Sequence, residues 1–340
     1  MLRMPKFELE QPGSLEAALA LLADTSVNSM VVAGGTDLLP NLKHELFTPQ
    51  RVVSLARIPE LRGVRALEGG WLAIGAMTRL DEVAADERLR AQAPALAQAC
   101  SLVAGPQLRT MGTLGGNVLL DTRCQWYNQT YFWRQALGFC LKKDGTLCHV
   151  VEGGSKCVAA ASNDSAPALM TLGAELVFAR AGARRVVPIA DLWVADGAMN
   201  KKLEPGEVLT EIRLPPRSAG HRGAYGKLRE RGSIDFPLLG VAVRLELDGS
   251  GTIAEADLVL GALAARPLRV RRIAEELVGT RAGTSECAAA LARVAELARK
   301  QCHPLPNVPG DHEWRQEMVP VYVRRTLEAA LLGAGPVHDA

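Results

Sequence analysis

Aromatic residues are scarce in this sequence: 15 Phe, Trp and Tyr among 340 residues. No run of eighteen apolar residues occurs, which argues against a membrane-spanning helix. Neither sign of charge dominates, since 39 Lys and Arg face 37 Asp and Glu for a net +2. A chain so nearly neutral is a poor candidate for nucleic-acid binding through phosphate contacts. The opening residues, MLRMPKFELEQPGS, lack an apolar signal core, so a cytoplasmic protein is expected. The usual nucleotide fingerprints are missing as well: there is neither a G-x-G-x-x-G turn nor a P-loop. No C-x-x-C pair occurs, which removes the zinc-ribbon and ferredoxin patterns.

What remains is a soluble-type composition, 48% hydrophobic and 22% charged, long enough to bury a core without disulfides. The first 60 residues alternate helix and strand. SLEAALALLA (14–23) sets Leu15, Leu19 and Leu22 on one helical face, with Ser14 placed to cap it. MVVA (30–33) and RVVSLA (51–56) read as strands. Between them a helix is expected after Leu38, with Pro40 tolerated only in its first turn. WLAIGAM (71–77) reads as a strand, and 79–103 as two helices broken near Pro94. Patterning is lost from Cys124 to Cys157 and resumes over 167–179 and 208–216. Strands at 238–247 and 252–260 then precede three helices near 268–278, 285–300 and 320–333. The boundaries expected are 1–60, 61–220 with an insertion at about 122–160, and 221–335.

Two glycine turns stand at element junctions. Gly34-Gly35-Thr36-Asp37 follows a strand and precedes a helix, where backbone N–H groups can converge on an anion. Gly112-Thr113-Leu114-Gly115-Gly116-Asn117 is the second, with Thr113 and Asn117 able to bond phosphate or ribityl oxygens. Each alone also reads as an ordinary tight turn. Two together suit a dinucleotide with an extended diphosphate.

Seven cysteines are present. Four of them, Cys124, Cys140, Cys148 and Cys157, fall within 34 residues. Four thiolates in one irregular segment can hold a tetrahedral metal or an iron–sulfur cube. Four unconnected buried thiols remain a reading of the same spacing, whereas an odd count and the absent signal core disfavour disulfides. His149 offers a spare ligand or a surface residue. Trp126, Tyr127, Tyr131, Phe132, Trp133 and Phe139 crowd between the first two cysteines, as a shell that would exclude water. Lys142, Lys143 and Lys156 flank the later ones. Cys100, Cys287 and Cys302 read as buried thiols without a role.

VVAGGTDLLP (31–40), RTMGTLGGNV (109–118), NDSAPALMTLGAEL (163–176) and LEPGEVLTEIRLP (203–215) closely resemble the FAD-binding subunits of the xanthine-dehydrogenase-like molybdenum hydroxylases. The resemblance covers nearly the whole chain. It implies an α+β fold with two FAD-binding subdomains of the PCMH/VAO-like type, followed by an antiparallel sheet with three helices. The cysteine-rich insertion after the second glycine turn, with YGKLRERGSIDFP (225–237), resembles one branch, the 4-hydroxybenzoyl-CoA reductase β subunits. By that resemblance Cys124, Cys140, Cys148 and Cys157 ligate a [4Fe-4S] cluster. Val32, Ala33, Gly34, Gly35, Thr36, Asp37 and Leu38 would form one FAD loop. Thr113, Leu114, Gly115, Gly116 and Asn117 would form the other, with Val103 nearby. Asp164 would accept hydrogen bonds from the ribityl or adenosine part, its other reading being a helix cap. Lys227 would lie near the flavin ring, or on a surface strand; Arg229 and Arg231 read as surface or interface charges.

The activity implied is electron transfer, with substrate chemistry left to a molybdopterin-binding large subunit and a [2Fe-2S] small subunit in a dimer of heterotrimers. In the reductase branch a ferredoxin-like donor supplies electrons for dehydroxylation of an aromatic CoA thioester. The alternative is the FAD subunit of an oxidising molybdenum hydroxylase whose cysteine loop binds zinc or no metal. A third reading is an assembly protein that kept the fold.

Overall fold

The computed structural model of the chain describes residues 2–338. Its first sheet has three parallel strands in the order Glu8–Glu10, Arg51–Ser54, Ser29–Val32. The helix Leu15–Ala23 begins where expected, with the Ser14 hydroxyl accepting from the Ala17 amide at 3.2 Å. Its Leu15, Ala18 and Leu19 pack on Val53, Leu55 and Ile58. Pro40 is the third residue of the helix Leu38–Lys43, within the turn that needs no intrahelical donor.

A five-stranded antiparallel sheet follows, ordered Val64–Ala66, Leu72–Gly75, Val208–Leu214, Glu175–Arg180, Ala183–Pro188. The stretch 79–103 forms three helices rather than two: Leu80–Ala85, Glu87–Gln92 and Pro94–Ser101. The additional break falls at Asp86, whose carboxylate accepts from the Arg88 and Leu89 amides and so ends one helix while capping the next. Most of the second glycine turn is itself helical, Leu114–Val118, started by the Thr113 hydroxyl accepting from the Gly116 amide at 3.1 Å.

The last third builds another five-stranded sheet, ordered Leu268–Arg269, Ile253–Gly261, Leu239–Leu247, His221–Leu228, Val337–His338. Its pairings are antiparallel except the final strand, which runs parallel to His221–Leu228. Helices Ile273–Leu277, Ser285–Gln301 and His312–Leu332 cover one face. The last helix starts eight residues before the expected 320. Asp311 caps it by accepting from the Glu313 amide at 2.8 Å, and Pro320 lies inside, where it forgoes one hydrogen bond. The whole is α+β, as the sequence implies. Among the described residues, no helix is long and apolar enough to cross a membrane.

The cysteine-rich segment leaves this frame through a narrow neck. Arg123 and Ala160 exchange both backbone hydrogen bonds at 2.8 Å. Inside the loop, the one helix among the described residues is Tyr131–Ala136.

Candidate FAD cavity and thiol pocket

A cavity of about 440 Å³ lies where the first two sheets meet the loops above them. That size falls within the range of small-molecule sites. Ala33, Gly34, Gly35, Thr36, Asp37 and Leu38 line it together with Thr113, Gly115, Gly116, Asn117 and Val103. The two glycine turns are pressed against each other here. A Cβ on Gly34 would overlap the Met111 carbonyl oxygen, and one on Gly115 would sit 2.7 Å from the Ala76 Cβ. Gly35 holds φ at +73°, a conformation that side chains rarely adopt. Bare backbone from both turns thus faces one space, which is the surface a dinucleotide diphosphate fits. Val32 and Leu114 stand behind the wall; Leu114 is fully buried in the core.

Sequence reasoning missed several wall residues, among them Phe47, Leu120, Asp121, Ile234 and Phe236. The last two belong to the 225–237 motif, which was the signal for them. The three wall carboxylates each have a cation: Asp37 meets Arg123 at 3.2 Å, Asp121 meets Lys142 at 2.8 Å and Glu207 meets Arg185 at 2.6 Å. Burial still pushes the Asp37 carboxyl above its ordinary value, against the pull of Arg123. Arg123 in turn stacks 3.8 Å from the Phe236 ring centre, tying the 225–237 segment to the first glycine turn.

Asp164 and Lys227 do not line the cavity. Asp164 is 2% exposed and Lys227 is fully buried. Lys227 Nζ donates to Asp164 Oδ2 at 3.0 Å and to the Leu102 carbonyl at 2.9 Å, and the Tyr225 hydroxyl donates to Asp164 Oδ1 at 2.9 Å. Asp164 occupies a helix N-cap position, but its side chain makes no capping bond. Burial raises the Asp164 carboxyl and lowers the Lys227 ammonium, each opposed by the other's charge. Lys227 therefore reaches the cavity indirectly, through the carbonyl that precedes the wall residue Val103. The surface reading of Arg229 fails: it is only 8% exposed, because it continues the buried strand beyond Leu228. Arg231 is exposed and binds Asp235, whose carboxylate also accepts the Arg231 amide at 2.7 Å and closes the turn.

Three of the four cysteines of the insertion converge. Cys124, Cys140 and Cys157 share one small core with Leu46, Tyr127 and Ala159, whereas Cys148 is half-buried outside it, its sulfur accepting from the Val151 amide at 3.4 Å. All seven cysteines are free thiols, and Cys100, Cys287 and Cys302 are buried elsewhere as expected. Burial pushes the Cys124 thiol up to about 11, so a metal would have to displace its proton. Among the described residues no three His, Cys, Asp or Glu side chains are gathered tightly enough for a single ion. Thiols are the donors that iron–sulfur cubes use, and three of these four share an apolar core.

The aromatic shell is thinner than the sequence suggests. Tyr127 is buried and Trp126 and Phe139 are half-buried, but Tyr131, Phe132 and Trp133 face solvent. Lys142 is the reverse case. A flanking cation in the sequence, it turns its side chain inward and donates to Asp121, to Thr122 Oγ1 at 2.5 Å and to the Gly197 carbonyl at 2.7 Å. It thus stands between the cavity wall and the thiols. His149 takes no place among the thiols; its Nε2 lies 2.6 Å from the Phe139 carbonyl.

Two distant segments close the pocket. The Asn307 carbonyl accepts from the Gln125 amide at 2.7 Å while its Nδ2 donates to the Val158 carbonyl at 2.5 Å, so one residue grips the neighbours of Cys124 and Cys157. Gly197 donates to the Cys157 carbonyl at 2.7 Å, and a Cβ there would lie 3.0 Å from the Cys157 sulfur and 2.8 Å from the Ala159 nitrogen. Gly197→Val is expected to lose about 1–3 kcal/mol by overpacking. Denaturant titration reads that loss. Alkylation mapped by mass spectrometry should show Cys157 newly exposed and Cys100 still protected.

Comparison with known proteins agrees with this geometry. Residues 5–217 match the family described as the FAD binding domain in molybdopterin dehydrogenase. Residues 224–330 match the CO dehydrogenase flavoprotein C-terminal domain. The chain is 30% identical to the carbon monoxide dehydrogenase medium chain of Hydrogenophaga pseudoflava over 96% of its own length and 97% of that protein's. It is 33% identical to the aldehyde oxidoreductase FAD-binding subunit of Escherichia coli over 75% of this chain and 80% of that one. A solved structure of the Hydrogenophaga pseudoflava carbon monoxide dehydrogenase superposes with a TM-score of 0.78 at 29% identity, covering 98% of this chain and all of that one. These relatives support the broad family and do not single out the 4-hydroxybenzoyl-CoA reductase branch. With 213 consecutive residues matched to the flavin domain and both of its glycine turns lining one cavity, the chain belongs to the FAD-binding medium subunits of the xanthine dehydrogenase and carbon monoxide dehydrogenase type of molybdenum hydroxylase, a family of oxidoreductase subunits.

Proposed function

We propose that this chain holds FAD between its two glycine turns and relays electrons for an oxidising molybdenum hydroxylase. In that role it works beside a molybdopterin-binding large subunit and a [2Fe-2S] small subunit, which carry the substrate chemistry. The observation that carries the reading is the convergence of Gly34–Gly35 and Gly115–Gly116 on one cavity, in a chain that matches dehydrogenase medium chains over nearly its full length. Bound FAD supplies a two-electron store that can pass electrons singly. The chain's own residues would bind and shield: the turns would approach the diphosphate, Phe236 and Ile234 add apolar wall, and Asp37 and Asp121 offer acceptors held in place by Arg123 and Lys142.

The four-thiol pocket favours a second reading, the reductase one. There Cys124, Cys140, Cys148 and Cys157 hold a [4Fe-4S] cluster that passes electrons inward from a ferredoxin-like donor, in a dimer of heterotrimers that dehydroxylates an aromatic CoA thioester. Support for it is the all-thiol donor set, three of whose members share one small core.

Anaerobic purification followed by flavin, iron, zinc and acid-labile sulfide analysis tests both. One FAD per chain without iron supports the oxidising reading with a metal-free or zinc loop. One FAD with four irons and four sulfides supports the cluster. A chain that takes up no FAD on reconstitution overturns both and favours an assembly protein.

A further inference from the structure

The wall of the cavity at Leu102–Ala104 is backed by positive charge. The Leu102 carbonyl accepts from Lys227 Nζ at 2.9 Å and from Arg229 Nη1 at 3.5 Å, and the Val103 carbonyl accepts from Arg109 Nη1 at 2.9 Å. Three cations thus stand behind three residues, two of which, Val103 and Ala104, line the cavity. Asp164 is the single carboxylate bonded within the group, and it is taken by Lys227.

Arg229 is left over. It is 92% removed from solvent, its one hydrogen bond is the long contact to Leu102, and its Nε is buried without a partner. Among the described residues no carboxylate forms a salt bridge with it, and the one whose charge it faces, Asp164, is held directly by Lys227. A buried guanidinium without a countercharge is costly and becomes less so when negative charge arrives nearby. Arg229 also sits between the two wall segments, since the strand that it ends leads straight into the loop carrying Ile234 and Phe236. Through a low-dielectric wall, a fixed charge acts more strongly than it would across water.

We infer that Arg229 is a positioning residue for the electron store, a buried charge without a salt bridge of its own that favours reduced, anionic flavin over the neutral oxidised ring. The inference rests on the FAD-carrying reading above. Two electrons and one proton convert the neutral oxidised isoalloxazine into the anionic hydroquinone, so the reaction creates one negative charge. Arg229 stabilises the product of that step and leaves the oxidised state nearly untouched. An arginine gripping the diphosphate would instead bind both states alike, because the phosphates stay charged throughout.

The test is a spectroelectrochemical titration of the full chain loaded with FAD, alongside the dissociation constant for oxidised FAD. Arg229→Met is expected to weaken binding of reduced relative to oxidised flavin at least tenfold, a fall of about 30 mV for a two-electron couple. Its affinity for oxidised FAD should stay within a few-fold of the parent, and Arg229→Lys should restore most of the potential. An unchanged potential overturns the inference, as does a loss of oxidised-FAD affinity with the potential unmoved. Where Arg229→Met does not fold, the half-buried Arg109→Met replaces it: a smaller fall in the same direction supports the cation-backed wall, and no fall overturns it. Failure of the parent chain to bind FAD is a separate result, which removes the proposed function itself.

Discussion

Gly34→Val is expected to strip FAD from the protein. A Cβ at this position overlaps the Met111 carbonyl oxygen, and Gly112 Cα stands 3.0 Å away, so the obstacle is backbone and cannot rotate aside. The first glycine turn must then move off the second, and the shared wall opens. FAD affinity should fall at least a hundred-fold, about 2.8 kcal/mol at ~1.4 kcal/mol per factor of ten. Folding stability should drop by about 1–3 kcal/mol, the usual cost of overpacking. Gly116→Ala is the graded case, because its Cβ would sit 3.0 Å from the Thr113 hydroxyl, a side-chain atom whose capping bond it would loosen rather than a fixed backbone atom. Gly232→Ala is the control, with nothing within 4 Å of the added carbon. Equilibrium titration with FAD orders the three. Undiminished binding by Gly34→Val would show that the two turns need not touch to hold the cofactor.

The buried pair of Asp164 and Lys227 gives the other large effect. Asp164→Asn leaves the Lys227 ammonium without a countercharge, and Lys227→Met does the same to the carboxylate. Either change should cost about 3–5 kcal/mol in the flavin-free protein, while the double variant should cost much less than their sum. The two singles should also differ in pH dependence. Burial holds the Asp164 carboxyl above its ordinary value, so the unfolded chain gives up that proton first. In Lys227→Met, stability is therefore greatest below the ordinary carboxyl value of about 3.9 and declines as pH rises through the folded value. Burial holds the Lys227 ammonium below its ordinary value, so the unfolded chain keeps that proton longer. In Asp164→Asn, stability should instead increase with pH, up to the ordinary lysine value of about 10.4. Denaturant midpoints at a series of pH values read both slopes, and parallel slopes would contradict the pairing.

Much of the flavin site can be read from the chain because close backbone approach leaves a compositional mark. Gly34, Gly35, Gly115 and Gly116 are glycines for reasons of space and φ, and those reasons show as motifs. Helix Leu15–Ala23 and two strands of the last sheet, Leu239–Leu247 and Ile253–Gly261, follow from periodicity in the same way, whereas Leu268–Arg269 pairs as a strand where a helix is expected. What stays hidden is decided by partners far along the sequence. Lys142 and Arg229 look like surface charges until the chain folds and their neighbours become Asp121 and Leu102. A clue to Arg229 was present: Tyr225, Lys227 and Arg229 are two apart and so share one side of an extended strand. Pro320 misled for a local reason, since proline usually opens a helix and here stands inside one capped earlier by Asp311. The aromatic-rich helix Tyr131–Ala136 could not be placed from composition, which says nothing of which rings turn outward.

Asn307 also sets a schedule. Its amide reaches Val158 across 149 residues of chain, so on the ribosome the thiols are made long before the residue that fastens them. At roughly 5–20 residues per second, synthesis of that stretch takes roughly 7–30 s. Through that interval the newborn loop has the Gly197 contact at most, and its sulfurs stay more open to solvent than they are once the far end of the polypeptide arrives.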